Sequence, residues 1–444
     1  MQFGFAKTDI TPRVGVDLCG FGPFINRYSV GVRDRLRARA MAVSDGETTA
    51  VLVSCDLVGV NLDTTHRVRE IVAASTCVPA DHVLVHCTHT HSGPATVTLN
   101  GWGRRDPPYM EILPARIADA CVKAVEGLAD TDVRHACVPC EGIGLNREYD
   151  RDAPALNDVL QDSWRPAKPE LTDTVCHVFQ FERAGKLVGF VSYFGCHPVV
   201  CCASTRWIHG DWCGVATGLI EGENGEAVGL FLQGAQGDVN SCVVHKPEAE
   251  ALAALDVVAE RYARAVRRGL AEGQSLDSGK VAVSRHEVVF TRTDLSRSVL
   301  TEWLTEAEAV LHASGAQDDD RQVRMSMVHT QALRGLLARI DRGESLQPVT
   351  EVHGLRFGPV TLLCAPFEIF QGIKNRVVSE ASAPLPLVVG LTNDLCGYAP
   401  DWERGGGDGY AAKTVPLITG QLPFADIATE LTRELLALDA SLAG

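Results

Sequence analysis

The chain has 444 residues, 45% apolar and 22% charged, an ordinary composition for a soluble globular protein with a sizeable core. Acidic residues outnumber basic ones, 56 against 41, for a formal charge of −15, and no Lys/Arg-rich block occurs. Nucleic acid and anionic membrane are therefore disfavoured as partners. No apolar run reaches the ~18 residues a membrane span needs. The opening Met1–Pro12 carries Lys7 and Asp9 and lacks a secretory apolar stretch, so a cytoplasmic location is expected. The cysteines number 15, and in a reducing compartment most are expected to be buried thiols. Cys137-Val-Pro-Cys140 has no second CxxC partner and, like Cys201-Cys202, is read as packing.

In chain order, Arg37–Ser44 and Thr49–Cys55 read as paired strands around the turn Asp45-Gly46. The spacing predicts a helix over Asp63–Ala74, a buried strand ending near Val85, and a helix over Met110–Leu128 with Ile112, Ile117, Cys121 and Val125 on one face. Val175–Phe181 and Leu187–Tyr193 flank Ala184-Gly185 as a hairpin, and Val228–Gln233 is a further strand. Residues 248–272 and 294–342 are helical, broken by the polar Gly315–Arg321, and are expected to form an insertion on an α/β body around 248–342. Strands return at Val349–Phe357, Val360–Ala365 and Leu387–Leu391, and a helix over Phe424–Leu438 closes the chain. The expected fold class is α/β, with mixed sheets and flanking helices in one domain over 1–444. The 294–342 helices form its insertion, and no C-terminal β-sandwich is expected.

The polar residues that fit poorly into this pattern share one context: each follows a strand and adjoins Gly or Pro. His89 and His91 lie in Thr88-His-Thr-His-Ser-Gly-Pro94, His197 in Gly195-Cys-His-Pro198, and Asp238 and Asn240 in Gly237-Asp-Val-Asn240. Glu368 follows Ala365-Pro-Phe, and Asn393, Asp394 and Tyr398 share one loop. Loops at strand ends are where α/β bodies collect catalytic groups. A zinc centre needs three or four N, O or S ligands, and the pool His89, His91, His197, Glu368 and Asp394 suffices. A (β/α)8 barrel, which can also end a strand in His-x-His, is disfavoured because eight regular βα units are not visible.

Together these segments resemble the neutral/alkaline ceramidase family, in its N-terminal catalytic domain. Ala6-Lys-Thr-Asp-Ile-Thr-Pro12, Leu36-Arg-Ala-Arg-Ala40, Ser54-Cys-Asp-Leu57, the Thr88–Pro94 motif, Leu145-Asn-Arg147, Gly195–Pro198, His209-Gly-Asp211, Gly237-Asp-Val239 and Asn393–Tyr398 follow in the family's order. The resemblance implies a zinc ion held by His89, His197, Glu368 and Tyr398. It implies that His91, Arg147 and Tyr410 contact the scissile amide and its oxyanion. From zinc chemistry, Asp211 in His209-Gly-Asp211 is a candidate to orient a ligand histidine. Asn393 and Asp394 are read as substrate-binding.

Asn240 stands where the family has a serine and is kept among the catalytic candidates, because an amide can donate a hydrogen bond but cannot act as a nucleophile. Ser241, one residue on, is expected to point elsewhere. The expected activity is zinc-dependent hydrolysis of an amide C–N bond in a soluble N-acyl or related small molecule. An ester, lactone or glycosidic substrate, true ceramidase activity, and a non-catalytic binding protein on the same fold are the alternatives. A homo-oligomer is left open.

Overall fold

The computed structural model describes residues 1–150, 152, 154–277, 279–404 and 409–443. Its body is three twisted sheets built in succession along the chain. The first comprises β1 (Gln2–Asp9), β2 (Arg37–Ser44), β3 (Thr49–Cys55) and β4 (Val83–Cys87), in the order β4-β3-β2-β1, with Ala129–Asp130 added to the β1 edge. The second comprises β5 (Asp132–Pro139), β6 (Val175–Arg183), β7 (Lys186–Phe194) and β8 (Val228–Gln233), in the order β8-β7-β6-β5. The third comprises β9 (Val281–Val288), β10 (Thr350–Phe357), β11 (Val360–Cys364) and β12 (Leu385–Val389), in that order.

One plan recurs in all three. Neighbouring strands are antiparallel except for one parallel pair per sheet, β3/β4, β7/β8 and β11/β12. Each parallel pair is joined by a helix, as a parallel connection requires: α1 (Leu62–Ser75), α3 (Asp211–Glu223) and α7 (Gln371–Glu380). The other long helices are α2 (Pro107–Glu126), α4 (Glu248–Glu272), α5 (Arg297–Leu311), α6 (Arg321–Asp341) and α8 (Ile427–Leu442).

Side chains on a strand alternate between faces, and the three inner faces meet in one shared core. Phe3, Leu52 and Leu84 from the first sheet pack with Phe179, Phe181 and Leu230 from the second and Leu355, Phe357 and Leu362 from the third. The outer faces are covered by α1 and α2, by α3 and α4, and by α7 and α8 respectively.

The expected helical insertion is narrower than 248–342. Helix α4 belongs to the body, burying Leu255, Val258, Tyr262 and Val266 against the second sheet, and β9 follows it. Only α5 and α6 intervene between the adjacent antiparallel strands β9 and β10, and they share a small core of Leu300, Leu333 and Leu336 with Leu417 and Leu422. Strands β1, β5 and β9 were not anticipated, because their sequences mix charged residues into the alternation. In β9, Arg285 is satisfied across the strand pair by Glu351, at 2.6 Å. All of the cysteines are unpaired thiols and most are buried. Cys140 lies in the core and Cys137 at the surface. No helix among the described residues is long and apolar enough to cross a membrane.

Candidate functional site

The C-terminal ends of the three parallel pairs converge, and the loops leaving them supply the candidate residues. His89 and His91 follow β4, His197 follows β7, Asn240 lies beyond β8, Glu368 follows β11 and Tyr398 lies beyond β12. Backbone hydrogen bonds lace these loops together. The His89 N–H donates to Leu57 O at 2.9 Å, His197 N–H to Val239 O at 2.9 Å, and Glu368 N–H to Gly397 O at 2.9 Å. Gly237 N–H donates to Ile369 O at 2.8 Å, and a Cβ at Gly237 would lie 2.5 Å from Glu368 O, so this approach requires glycine. His89 itself adopts a left-handed backbone (φ 72), a strained conformation of the kind concentrated at functional sites.

The imidazoles are oriented by main-chain carbonyls. His89 Nδ1 lies 2.6 Å from Val58 O, and His197 Nδ1 lies 2.6 Å from Gln236 O. A carbonyl only accepts, so each Nδ1 carries the proton and each Nε2 presents its lone pair. Both lone pairs face one carboxylate oxygen: Glu368 Oε2 is 2.8 Å from His197 Nε2 and 3.2 Å from His89 Nε2. Tyr398 Oη is 3.4 Å from His197 Nε2.

Lone pairs and a carboxylate aimed at one another repel unless a cation is held among them. A proton is a poor cation here, because burial pushes His197 down to about 4. The donor set therefore fits a metal ion. Ligand atoms of His89, His91 and His197 also lie within 4.8 Å of one another.

His91 has both ring nitrogens buried without a hydrogen-bond partner, and burial lowers its pKa well below the ordinary value. Its ring packs against His89 and Phe21, with centroids 4.7 and 5.0 Å away. It forms one wall of a cavity of about 270 Å³ that His197, Arg147, Asn240, Tyr398 and Tyr410 also line. The Arg147 guanidinium lies 4.8 Å from the Tyr398 ring centroid, and its peptide N–H donates to Asp238 O at 2.8 Å. Burial pushes the Tyr398 phenol well above its ordinary value, and Arg147 works in the opposite direction. The Asp238 carboxylate accepts from Gln371 N and Asn146 Nδ2, at 2.9 and 2.8 Å, so it braces the loops from behind.

His89, His91, His197, Glu368, Tyr398, Arg147, Asn240 and Tyr410 thus gather at one place, and Asn393 and Asp394 do not join them. Asn393, buried with φ 69, accepts from Val85 N–H at 2.8 Å and pairs its amide with His353 Nδ1 at 3.1 Å, latching its loop to β4 and β10. Behind it Arg69 grips Glu351 through two hydrogen bonds of 3.0 and 2.6 Å. Asp394 accepts from Thr350 Oγ1 at 3.0 Å and lines a separate cavity with Arg292 and Phe424.

Asp211 orients no ligand histidine. Its carboxylate accepts the backbone N–H groups of Val200, Cys201 and Trp212 at the start of α3, and main-chain carbonyls hold His89 and His197 instead. Ser241 is turned away as expected, with its hydroxyl donating to His197 O at 2.5 Å and accepting from Val199 N–H at 3.2 Å. Phe21, Trp102, His245 and Arg321, which also line the cavity, were not singled out from the sequence. Phe21 lies between two glycines, but no spacing rule connects residues 21, 102, 245 and 321.

Residues 1–250 match the sequence profile of the neutral/alkaline non-lysosomal ceramidase N-terminal family. The fold is similar to that in the crystal structure of neutral ceramidase from Pseudomonas aeruginosa, with a TM-score of 0.75 and 17% identity, over 99% of this chain and 74% of that one. It is similar also to a ceramidase complexed with C2, with a TM-score of 0.74 and 18% identity, over 100% of this chain and 75% of that one. The profile match holds His89, His91, Arg147, His197 and Asn240, while the fold likeness extends over Glu368, Tyr398 and Tyr410. The chain belongs to the neutral/alkaline non-lysosomal ceramidase family.

Proposed function

We infer that the protein is a zinc-dependent hydrolase that uses activated water to cleave the amide bond of an N-acyl small molecule. The observation that carries this reading is the convergence of the His89 and His197 lone pairs on the Glu368 carboxylate, beside a cavity walled by the unpartnered His91. His89, His197, Glu368 and Tyr398 would hold the ion, and two imidazoles with oxygen donors suit zinc. When bound, such an ion supplies Lewis-acid polarisation of the carbonyl and a water-derived nucleophile near neutral pH.

The chain's own groups complete the chemistry. His91 and the Arg147 guanidinium face the cavity and would donate hydrogen bonds to the oxyanion as it develops, with the Asn240 amide and the Tyr410 phenol as further donors. Arg147 stacks on Tyr398, which limits the positions its guanidinium can take. A covalent serine route has no nucleophile here: Asn240 replaces the hydroxyl, and Ser241 is committed to the His197 backbone. A cavity of about 270 Å³ lies at the small end of ligand sites and supports a compact, water-soluble substrate over a two-chain lipid.

Elemental analysis of wild type beside His197→Ala, combined with amine release from N-acyl compounds of short and long chain, tests this reading. About one zinc per chain, lost together with hydrolysis in the variant, is the expected result. Wild-type protein that takes up no stoichiometric metal when zinc is supplied would sink it.

A further inference from the structure

The helical insertion brings a cation to the cavity that serves nothing else in the fold. Helix α6 begins at Arg321, and residues three, four and seven positions on share its face. On that face Met325 and Val328 pack into the cluster that contains Trp102 and Tyr398, so the register turns Arg321 toward the site, where it lines the cavity wall. Among the described residues its side chain makes no hydrogen bond or ion pair. Arg324, one turn along, has its Nε buried without a partner.

The acidic run just before the helix does not neutralise this face. Asp320 caps α6 by accepting the Gln322 N–H at 2.6 Å, and neither Asp318 nor Asp319 lines the cavity. Arg321 and Tyr410 line the same cavity. Among the described residues no carboxylate lines the cavity, and Glu368 behind it is engaged by His89 and His197. Arg147 and Arg321 therefore leave the cavity electropositive, which favours a ligand bearing a negative charge.

We propose that Arg321 forms an anion subsite at the cavity wall, so that the preferred substrate is an N-acyl compound whose amine portion carries a carboxylate or phosphate. This rests on the hydrolase reading above and adds the substrate's charge to it. A guanidinium contact to either anion is a charge-assisted hydrogen bond, and about tenfold in kcat/KM is its expected effect at an exposed site.

The test uses matched pairs with one acyl chain: N-hexanoyl glycine against its methyl ester, and N-hexanoyl ethanolamine phosphate against N-hexanoyl ethanolamine. Amine release is followed for the zinc-loaded wild type, R321A and R321K. The wild type should prefer a charged member about tenfold; R321A should bring that ratio close to one and R321K should keep part of it. Whichever pair shows the preference distinguishes carboxylate from phosphate. A wild-type ratio near one, or a ratio that R321A leaves unchanged, overturns the subsite.

Calorimetric binding of the same pairs to His91→Ala, with and without R321A, separates this inference from the hydrolase reading. Tighter binding of the charged member that is lost with R321A, in a protein whose wild type turns over neither compound, supports the subsite and removes the hydrolase. Turnover without charge discrimination in binding does the reverse.

Discussion

The floor and the rim of the cavity are built in different ways. The floor, with His89, His197 and Glu368, sits at the ends of three parallel strand pairs. Its residues are buried, and its imidazoles are aimed by carbonyls of neighbouring loops. The rim, with Tyr410, His245 and Arg321, is exposed and comes from connecting segments and from the helices inserted between β9 and β10. Groups that must hold a metal-ligand geometry to within fractions of an ångström belong on rigid elements, whereas groups that choose among substrates can be exchanged on loops without disturbing the core. On the proposed reading the three repeated βαβ units would carry the chemistry, and the chain's more individual segments its substrate preference.

The floor is the more sensitive region. His197→Ala removes an imidazole that main-chain carbonyls have already oriented, and hydrolysis should fall to background with the loss of bound metal, read by elemental analysis beside the activity assay. An exposed rim variant should keep its metal.

The latch under the floor comes next. Arg69→Met leaves the buried Glu351 with only the partly exposed Arg285, and stability measured by urea unfolding should fall by ~3–5 kcal/mol. This loss has a defined pH dependence. Burial would raise Glu351, but Arg69 and Arg285 bring it from 4.5 to about 2. A carboxyl depressed in the folded state contributes its full stabilisation above the unfolded value and loses it as pH falls toward the folded one. The difference between wild type and variant should therefore narrow between pH 4.5 and about 2, and a difference that stays constant through that window would assign the loss to packing.

His91→Ala sharpens the distinction within the floor itself. Main-chain carbonyls orient the two imidazoles assigned as ligands, while His91 has no partner, so the variant should retain zinc while kcat falls by ~10²–10³, as for loss of one oxyanion donor. Zinc lost along with activity would make His91 a ligand.

The smallest effect is expected where floor meets rim. Gly20 has φ +116, and a Cβ there would lie 2.4 Å from His91 Cγ. Gly20→Ala should cost ~1–3 kcal/mol in thermal unfolding and lower kcat with bound metal unchanged. An unaltered kcat would show that the His91 ring can shift without consequence.

Much of this molecule was legible before folding was considered. The runs Thr49–Cys55 and Val228–Gln233 are continuous and apolar because strands buried on both faces need no polar side, and both are strands in the structure. The strand-end position of the Thr88–Pro94 motif was equally plain. Strands β5 and β9 were hidden because their alternation includes polar residues such as His135 and Arg285, which meet His177 and Glu351 only once a partner strand lies alongside. Among the candidates, Asn393 and Asp394 had the same strand-end context as His197. Only packing reveals that their polar atoms are consumed by Val85, His353 and Thr350.

The residues alone point to a class of chemistry. Histidines and a carboxylate placed where strands end are costly in a core and need a polar or metal-centred purpose. Which of them meet, and at what orientation, was decided by the tertiary structure, because the three sheets bring residues 89, 197, 368 and 398 together and the aiming hydrogen bonds come from carbonyls at 58 and 236. A main-chain carbonyl is the same group at every position and leaves no mark in the sequence. The same reason hid Arg321, an ordinary surface arginine until the register of its helix turns it into the cavity.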